Sequence, residues 1–341
     1  MNVFYKKILY IVMFMSLFSS LKAGTMSNND TKFDWKATES GPKKYPMQII
    51  NGMFYYHGED NNGLYVPNGA TLYEGWGSMR SSHNVGPDLK PLPDRLSITY
   101  FSFVENKFYQ GDFDLPYEKI LSLFRQGVEA NKDDPTYQRI MVGVAPGGAV
   151  AVWLFGNGVK EVFFGKAEAA DIDWEKAIGI PPEMREEAVR MTIDESVGLP
   201  VLTEIEKNGI PFQQWEEFRT QYNWLPTFAV SHPPKNFGMT FYNGETGRFN
   251  FPLEEEFIKS THPVPDGIRF HYAVNGLGIQ YLYVINFDQA EMFDVYSQLG
   301  ADQQFLQLEF HPKVPIERTQ VILHSEKESV TLKKFTIEKI D

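Results

Sequence analysis

The clearest alternation of apolar and polar positions in this chain occurs twice. After Pro93-Asp94-Arg95, the run Leu96 to Phe103 reads as a strand that pairs with Lys107 to Tyr109 across Glu105-Asn106. The stretch from Asp114 to Gly127 then sets Ile120, Leu121, Leu123 and Phe124 on one helical stripe. After Pro265-Asp266-Gly267 come Ile268 to Val274, Phe287-Asp288 and a second stripe, Met292, Phe293, Val295 and Tyr296, stopped by Gly300. With one gap, FDLPYEKILSLFRQG lies over FDQAEMFDVYSQLG. The match predicts a tandem strand, strand, helix, strand, strand unit, with Asp114 and Asp288 as helix N-caps.

The flanking patterns extend both copies. Gln138 to Val144 and Val150 to Phe155 are continuous apolar runs around Pro146-Gly147-Gly148, the pattern of a buried hairpin, and Lys160 to Phe164 adds a strand. Gln304 to Phe310, Thr319 to His324 and Val330 to Ile337 are their counterparts. Gln48 to Tyr56 is β-prone and ends in the turn cluster Gly58 to Gly63, while Gly69 to Pro93 is an ordered loop carrying Trp76 between two glycines. Asp173 to Gly198 and Val201 to Tyr222 read as mainly helical, and Gly238 to Phe251 as a hairpin around Asn243-Gly244. The expected class is α+β: two similar antiparallel sheet-plus-helix units, 46–170 and 231–341, joined by a helical connector, 171–230. Residues 24–45 are polar without a sustained period, the pattern of an exposed tether or an early edge segment.

The first 23 residues change the picture by giving an address. Lys6 and Lys7 precede the apolar Ile8 to Leu21, and Leu21-Lys22-Ala23 offers a cleavage site, so a secretory signal peptide and a periplasmic protein are expected. The apolar run falls short of the roughly 20 residues of a membrane span. With no cysteine in the chain, lipidation at Thr25, disulfides and thiol catalysis are all excluded, and stability rests on a core. Aromatics at 15% suit a β-rich interior. The net charge of −12 becomes −15 once the three signal-segment lysines are gone, which disfavours nucleic acid and anionic lipid as partners and suits a basic protein.

A search for chemistry returns no established signature and no cofactor motif. APGGAVAVW lacks the Lys-Ser/Thr end of a P-loop and the three-glycine dinucleotide spacing, and reads as a turn. Gly-x-Ser-x-Gly and His-Glu-x-x-His are absent, and no two of the seven histidines stand at i, i+3 or i, i+4. Asp171, Asp173 and Glu175 form the tightest acidic group; the group is a hydrolase's carboxylate pair or the cap and first turn of a helix opening at Trp174. The run Trp215 to Trp224 gathers residue types enriched at binding hot spots, and equally suits a helix whose aromatics plug a seam.

Gly75-Trp76-Gly77, Pro91-Leu92-Pro93, LSITYFSFVENKFYQGDFDLP, VGVAPGGAVAVWLFG and GIPFQQWEEFRTQYNW together resemble the bacterial family called domain of unknown function 2931. The resemblance runs from about Tyr45 to the carboxy terminus. It implies an envelope protein of Gram-negative bacteria, often a lipoprotein, and for some relatives a place beside type VI secretion effectors. On that basis the expected function is non-enzymatic: a periplasmic immunity protein covering a toxin, with contacts at Glu59, Asp60, Trp76, Trp215, Arg219, Tyr222 and Trp224. An envelope hydrolase using Asp171 to Glu175 and a structural envelope component are the alternatives.

Overall fold

The computed structural model describes residues 31–130, 135–273 and 280–340, so the signal segment lies outside the described residues. The amino-terminal half comprises β1 (Lys32–Asp34), β2 (Lys36–Ser40), β3 (Met47–Tyr56), β4 (Gly63–Tyr65), β5 (Thr71–Leu72), β6 (Leu89–Pro91), β7 (Pro93–Ser102), β8 (Lys107–Asp114), α1 (Tyr117–Ala130), β9 (Tyr137–Val144), β10 (Ala149–Gly156), β11 (Val159–Lys166) and β12 (Glu168–Ala170). Four helices follow: α2 (Trp174–Ile178), α3 (Arg185–Val197), α4 (Leu199–Asn208) and α5 (Gln214–Glu217). The carboxy-terminal half holds β13 (Gln221–Tyr222), β14 (Trp224–Phe228), β15 (Asn236–Phe241), β16 (Thr246–Asn250), α6 (Glu255–Lys259), β17 (His262–Pro263), β18 (Pro265–Ala273), β19 (Gln280–Phe287), α7 (Gln289–Leu299), β20 (Leu306–His311), β21 (Gln320–His324), β22 (Ser329–Thr331) and β23 (Phe335–Ile340). The class is mixed α+β, as the patterning predicts.

The strands pair in the same order in each half. In the first, β3, β7, β8 and β12 are neighbours in one sheet, while β2 lies parallel to β9 in a second that continues through β10 and β11. In the other half, β15, β18, β19 and β23 are neighbours, and β14 lies parallel to β20 in a sheet that continues through β21 and β22. Two short ladders repeat as well: Lys32 faces Pro91 where β1 meets β6, and Gln221 faces Pro263 where β13 meets β17. A fully buried tryptophan follows each, Trp35 donating its indole N–H to Pro91 O at 3.0 Å and Trp224 donating to Pro263 O at 3.1 Å.

The helices follow from their stripes. Ile120, Leu121, Phe124 and Val128 bury one face of α1, and Phe124 meets Phe33 with ring centroids 5.3 Å apart. Met292, Val295, Tyr296 and Leu299 do the same for α7, whose N-cap is Asp288, accepting from Glu291 N at 3.0 Å. The expected cap at Asp114 is not found. That residue ends β8 opposite Arg95, and the helix opens after Pro116, whose fixed φ suits a first turn.

Residues 32–40, within the stretch read as a tether, form β1 and β2. Their polar side chains bind the 75–81 loop instead of water: Ser40 Oγ donates to Gly75 O (2.9 Å), Ser81 Oγ donates to Glu39 Oε1 (2.6 Å), and Thr38 Oγ1 donates to Ser81 O. Polar composition here reflects a covered sheet edge, and burial pushes the Glu39 carboxyl above its usual range.

A single backbone pair, Val159 with Thr246, joins β11 to β16 and makes one nine-stranded sheet across both halves. Beside it, Trp76, Trp153, Trp215, Phe218, Tyr242 and Phe293 pack as an aromatic seam.

Candidate functional site

A surface on which charge and aromatic rings converge lies where β3 ends, β7 begins and α1 opens. Tyr56 N donates to Asn62 O (2.9 Å) and Glu59 N to Tyr56 O (3.0 Å), closing the turn that the Gly58 to Gly63 cluster predicts. Beside it, His57 N bonds Leu92 O (3.0 Å), which sets the turn against the start of β7. The result is an open cavity of about 710 Å³, bordered by Tyr55, His57, Glu59, Asp60, Asp94, Asp114, Tyr117 and Glu118 among others.

His57 is fixed from two sides. Its Nδ1 donates to Asp94 Oδ2 at 2.7 Å, and its ring stacks on Tyr117 at 3.7 Å between centroids. A carboxylate can only accept, so this contact keeps a proton on Nδ1 and fixes the orientation of the ring. Arg95 lies over the Tyr55 ring at 4.0 Å with Asp112 3.6 Å away. Burial, reinforced by Glu59, pushes the Tyr56 phenol up; burial, reinforced by Glu118, does the same for Tyr117, so both rings stay neutral. Five carboxylates, Glu59, Asp60, Asp94, Asp114 and Glu118, line the cavity, with Arg95 and Lys119 at its border. Among the described residues no group of three His, Cys, Asp or Glu side chains is arranged to hold a metal ion.

Only two of the residues singled out from the sequence share this surface. Glu59 accepts from Asn62 Nδ2 at 2.5 Å and Asp60 is exposed at the same turn. Trp76, Trp215 and Arg219 come together elsewhere, in the aromatic seam. Trp76 stands 4.9 Å from Trp153 and 5.2 Å from Trp215, and Trp215 is 3% exposed. Arg219 holds Glu161 through two hydrogen bonds, 2.7 and 2.6 Å, while its guanidinium covers Phe164 at 3.5 Å. Tyr222 meets Tyr296 edge-on, and Trp224 is fully buried in the carboxy-terminal core. The expectation that Trp215 and Trp224 are exposed contacts is corrected: their rings are large enough that packing wins over display.

The other sequence candidates resolve into local structure. Asp173 caps α2 by accepting from Lys176 N at 2.9 Å, and that bond holds its carboxyl below the usual range; Asp171 and Glu175 lie exposed beside it. Gly147 N donates to Glu105 Oε2 at 3.0 Å, so the Gly-Gly turn is already closed by a carboxylate of the same chain. What the sequence reading missed is the pairing of His57 with Asp94, which are separated by 37 residues. The only local signal is that Asp94 follows the proline opening β7, a position noted for the repeat alone.

A family model described as "Protein of unknown function (DUF2931)" matches residues 22–213. The match takes in the amino-terminal half, the cavity and most of the connector, and stops short of the carboxy-terminal half, where the resemblance had been expected to continue. No curated protein and no solved structure matches the chain.

Proposed function

We propose that this chain, which belongs to the DUF2931 family, is an exported, non-enzymatic binding protein that neutralises a protein partner by covering it, most concretely an immunity protein facing a type VI secretion effector in the periplasm. The observation that carries this reading is the cavity at Glu59 and Asp60. It is open, ringed by five carboxylates and three tyrosines, and set on paired strands and a helix N-terminal turn. Such a surface attracts a cationic patch over roughly a Debye length, about 8 Å at physiological salt. We read the two halves as tandem copies of one building block. The parallel first strand, the shared pairing order and the tryptophan-to-proline bond in each half support that reading.

The test is purification of the tagged protein from periplasmic extract, beside a double variant Glu59→Lys, Asp60→Lys. The expected result is one stoichiometric basic partner, lost at least tenfold in the variant while the melting temperature is kept. Recovery of no partner would favour a structural envelope component, and turnover of lipid or glycan substrates by the pure protein would favour the hydrolase alternative.

A further inference from the structure

The outward face of the carboxy-terminal sheet carries a second feature, remote in sequence from the acidic cavity. Gly238 in β15 pairs with Arg248 of β16 on one side and with Arg269 of β18 on the other. Directly opposed residues share a face. That face is the outer one, because the alternate residues of β15, Phe237, Met239 and Phe241, are buried in the core. Two arginines therefore flank one glycine in a single row.

The glycine is what lets them approach. A Cβ on Gly238 would stand 2.8 Å from Arg269 Nε, so the Arg269 side chain lies across the space that any other residue would fill. In the next row Gly267 is flanked in the same way, with Thr240 Oγ1 and Asn286 Oδ1 placed 3.1 and 3.3 Å from where its Cβ would be. The β10–β11 turn and residues 77–79 wall the face into a groove of about 630 Å³. Among the described residues neither arginine forms a salt bridge, whereas Arg80, Arg95 and Arg219 each have a carboxylate. Two strand spacings of about 4.8 Å put their backbones roughly 10 Å apart. Side chains of that length close this gap around one small anion. Two unpaired guanidiniums in one row of a protein with net charge −12 repel each other, and a doubly charged oxyanion turns that repulsion into attraction.

We propose that Arg248 and Arg269, leaning over Gly238, form an anion site for a phosphate monoester, with Asn286 and Thr240 lining the groove beside it. A guanidinium presents a planar fork of N–H donors that matches phosphate oxygens. The missing side chain at Gly238 leaves room for Arg269 to lie across the row toward Arg248. The same chemistry occurs on a soluble phosphomonoester and on a lipid headgroup, and the probes separate the two.

Titration calorimetry with glycerol 3-phosphate, and flotation with phosphatidylcholine vesicles containing 20% phosphatidic acid, test the site in the mature protein. Expected is saturable binding of at least one probe, weakened at least tenfold in Arg248→Ala and in Arg269→Ala, with Arg190→Ala unchanged. Binding of vesicles alone assigns the site to a lipid headgroup; binding of glycerol 3-phosphate in solution assigns it to a soluble ester. Gly238→Leu, which displaces the Arg269 side chain without removing a charge, is expected to weaken binding as well. Melting temperatures confirm folding, and Arg248→Gln and Arg269→Gln replace any alanine variant that fails to fold. The proposal is overturned if the wild type binds neither probe, or if the arginine variants bind as well as the wild type.

Discussion

At the scale of single residues, Trp35 and Trp224 hold corresponding places in the two halves, each fully buried and each tied by one N–H to the carbonyl of the first proline in a Pro-x-Pro-Asp run. Trp35→Phe and Trp224→Phe keep most of the apolar contact and remove the donor. Each is expected to cost about 1–3 kcal/mol in urea unfolding, and by similar amounts in the two halves. Glu161 gives a pH signature. Burial pushes its carboxyl up to about 7 although the Arg219 guanidinium works in the other direction. The folded chain thus holds that proton to higher pH than the unfolded chain, whose carboxyl titrates near 4.5, and stability falls as pH rises through the window between them. Glu161→Gln, which has no proton to lose, is expected to flatten that fall. The sequence made Glu59 and Asp60 visible because a turn cluster is a local signal. It left His57 obscure because its partner arrives through strand pairing, which no spacing along the chain encodes.

At the scale of elements, both main helices, the hairpin at Asn243-Gly244 and the buried hairpin of β9 and β10 were legible from periodicity and turn residues. Register was not. The Phe113-Asp114 and Phe287-Asp288 dipeptides align as text, but Arg95 faces Asp114 in one ladder and Gly267 faces Asn286 in the other, so Phe113 stands where Ile285 does. The position matching Phe287 is Leu115, and α1 and α7 then begin at matching residues. The shared dipeptide therefore misled by two positions, which a side-chain period of two conceals because the same face remains buried. The Pro146-Gly147-Gly148 turn offers a measurement at this scale. Gly148 has φ of 87°, and a Cβ there would meet Ala167 O at 2.2 Å, while Gly179 has φ of 82° with nothing within 4 Å. Gly148→Ala is expected to cost about 2–5 kcal/mol and Gly179→Ala about 1–2 kcal/mol in chemical unfolding, since both pay the left-handed penalty and only the first also clashes.

Taken whole, the α+β class was readable because alternating and helical stripes are each local. The family was readable through its aromatic-glycine motifs. How the halves meet was not, since the aromatic run Trp215 to Trp224 suited a seam and a binding face equally well before its neighbours were known. The structure divides that run: Trp215 and Phe218 close the seam, and Trp224 enters the core beyond it.

One rung of backbone, Val159 to Thr246, bridges the nine-stranded sheet at its waist. A ladder with a single rung carries little shear, so a force drawing the halves apart falls also on indole rings, on the close passage of Gly77 against Gly244, and on Glu245, which accepts from Glu161 N and pairs with Lys160. The two ends of the molecule are clasped, not welded. A chain severed after residue 213 would keep every strand of its first half yet lose Trp215, which covers Trp76, and Asn243, whose carbonyl accepts from Trp153 Nε1, leaving both indoles in want of another cover.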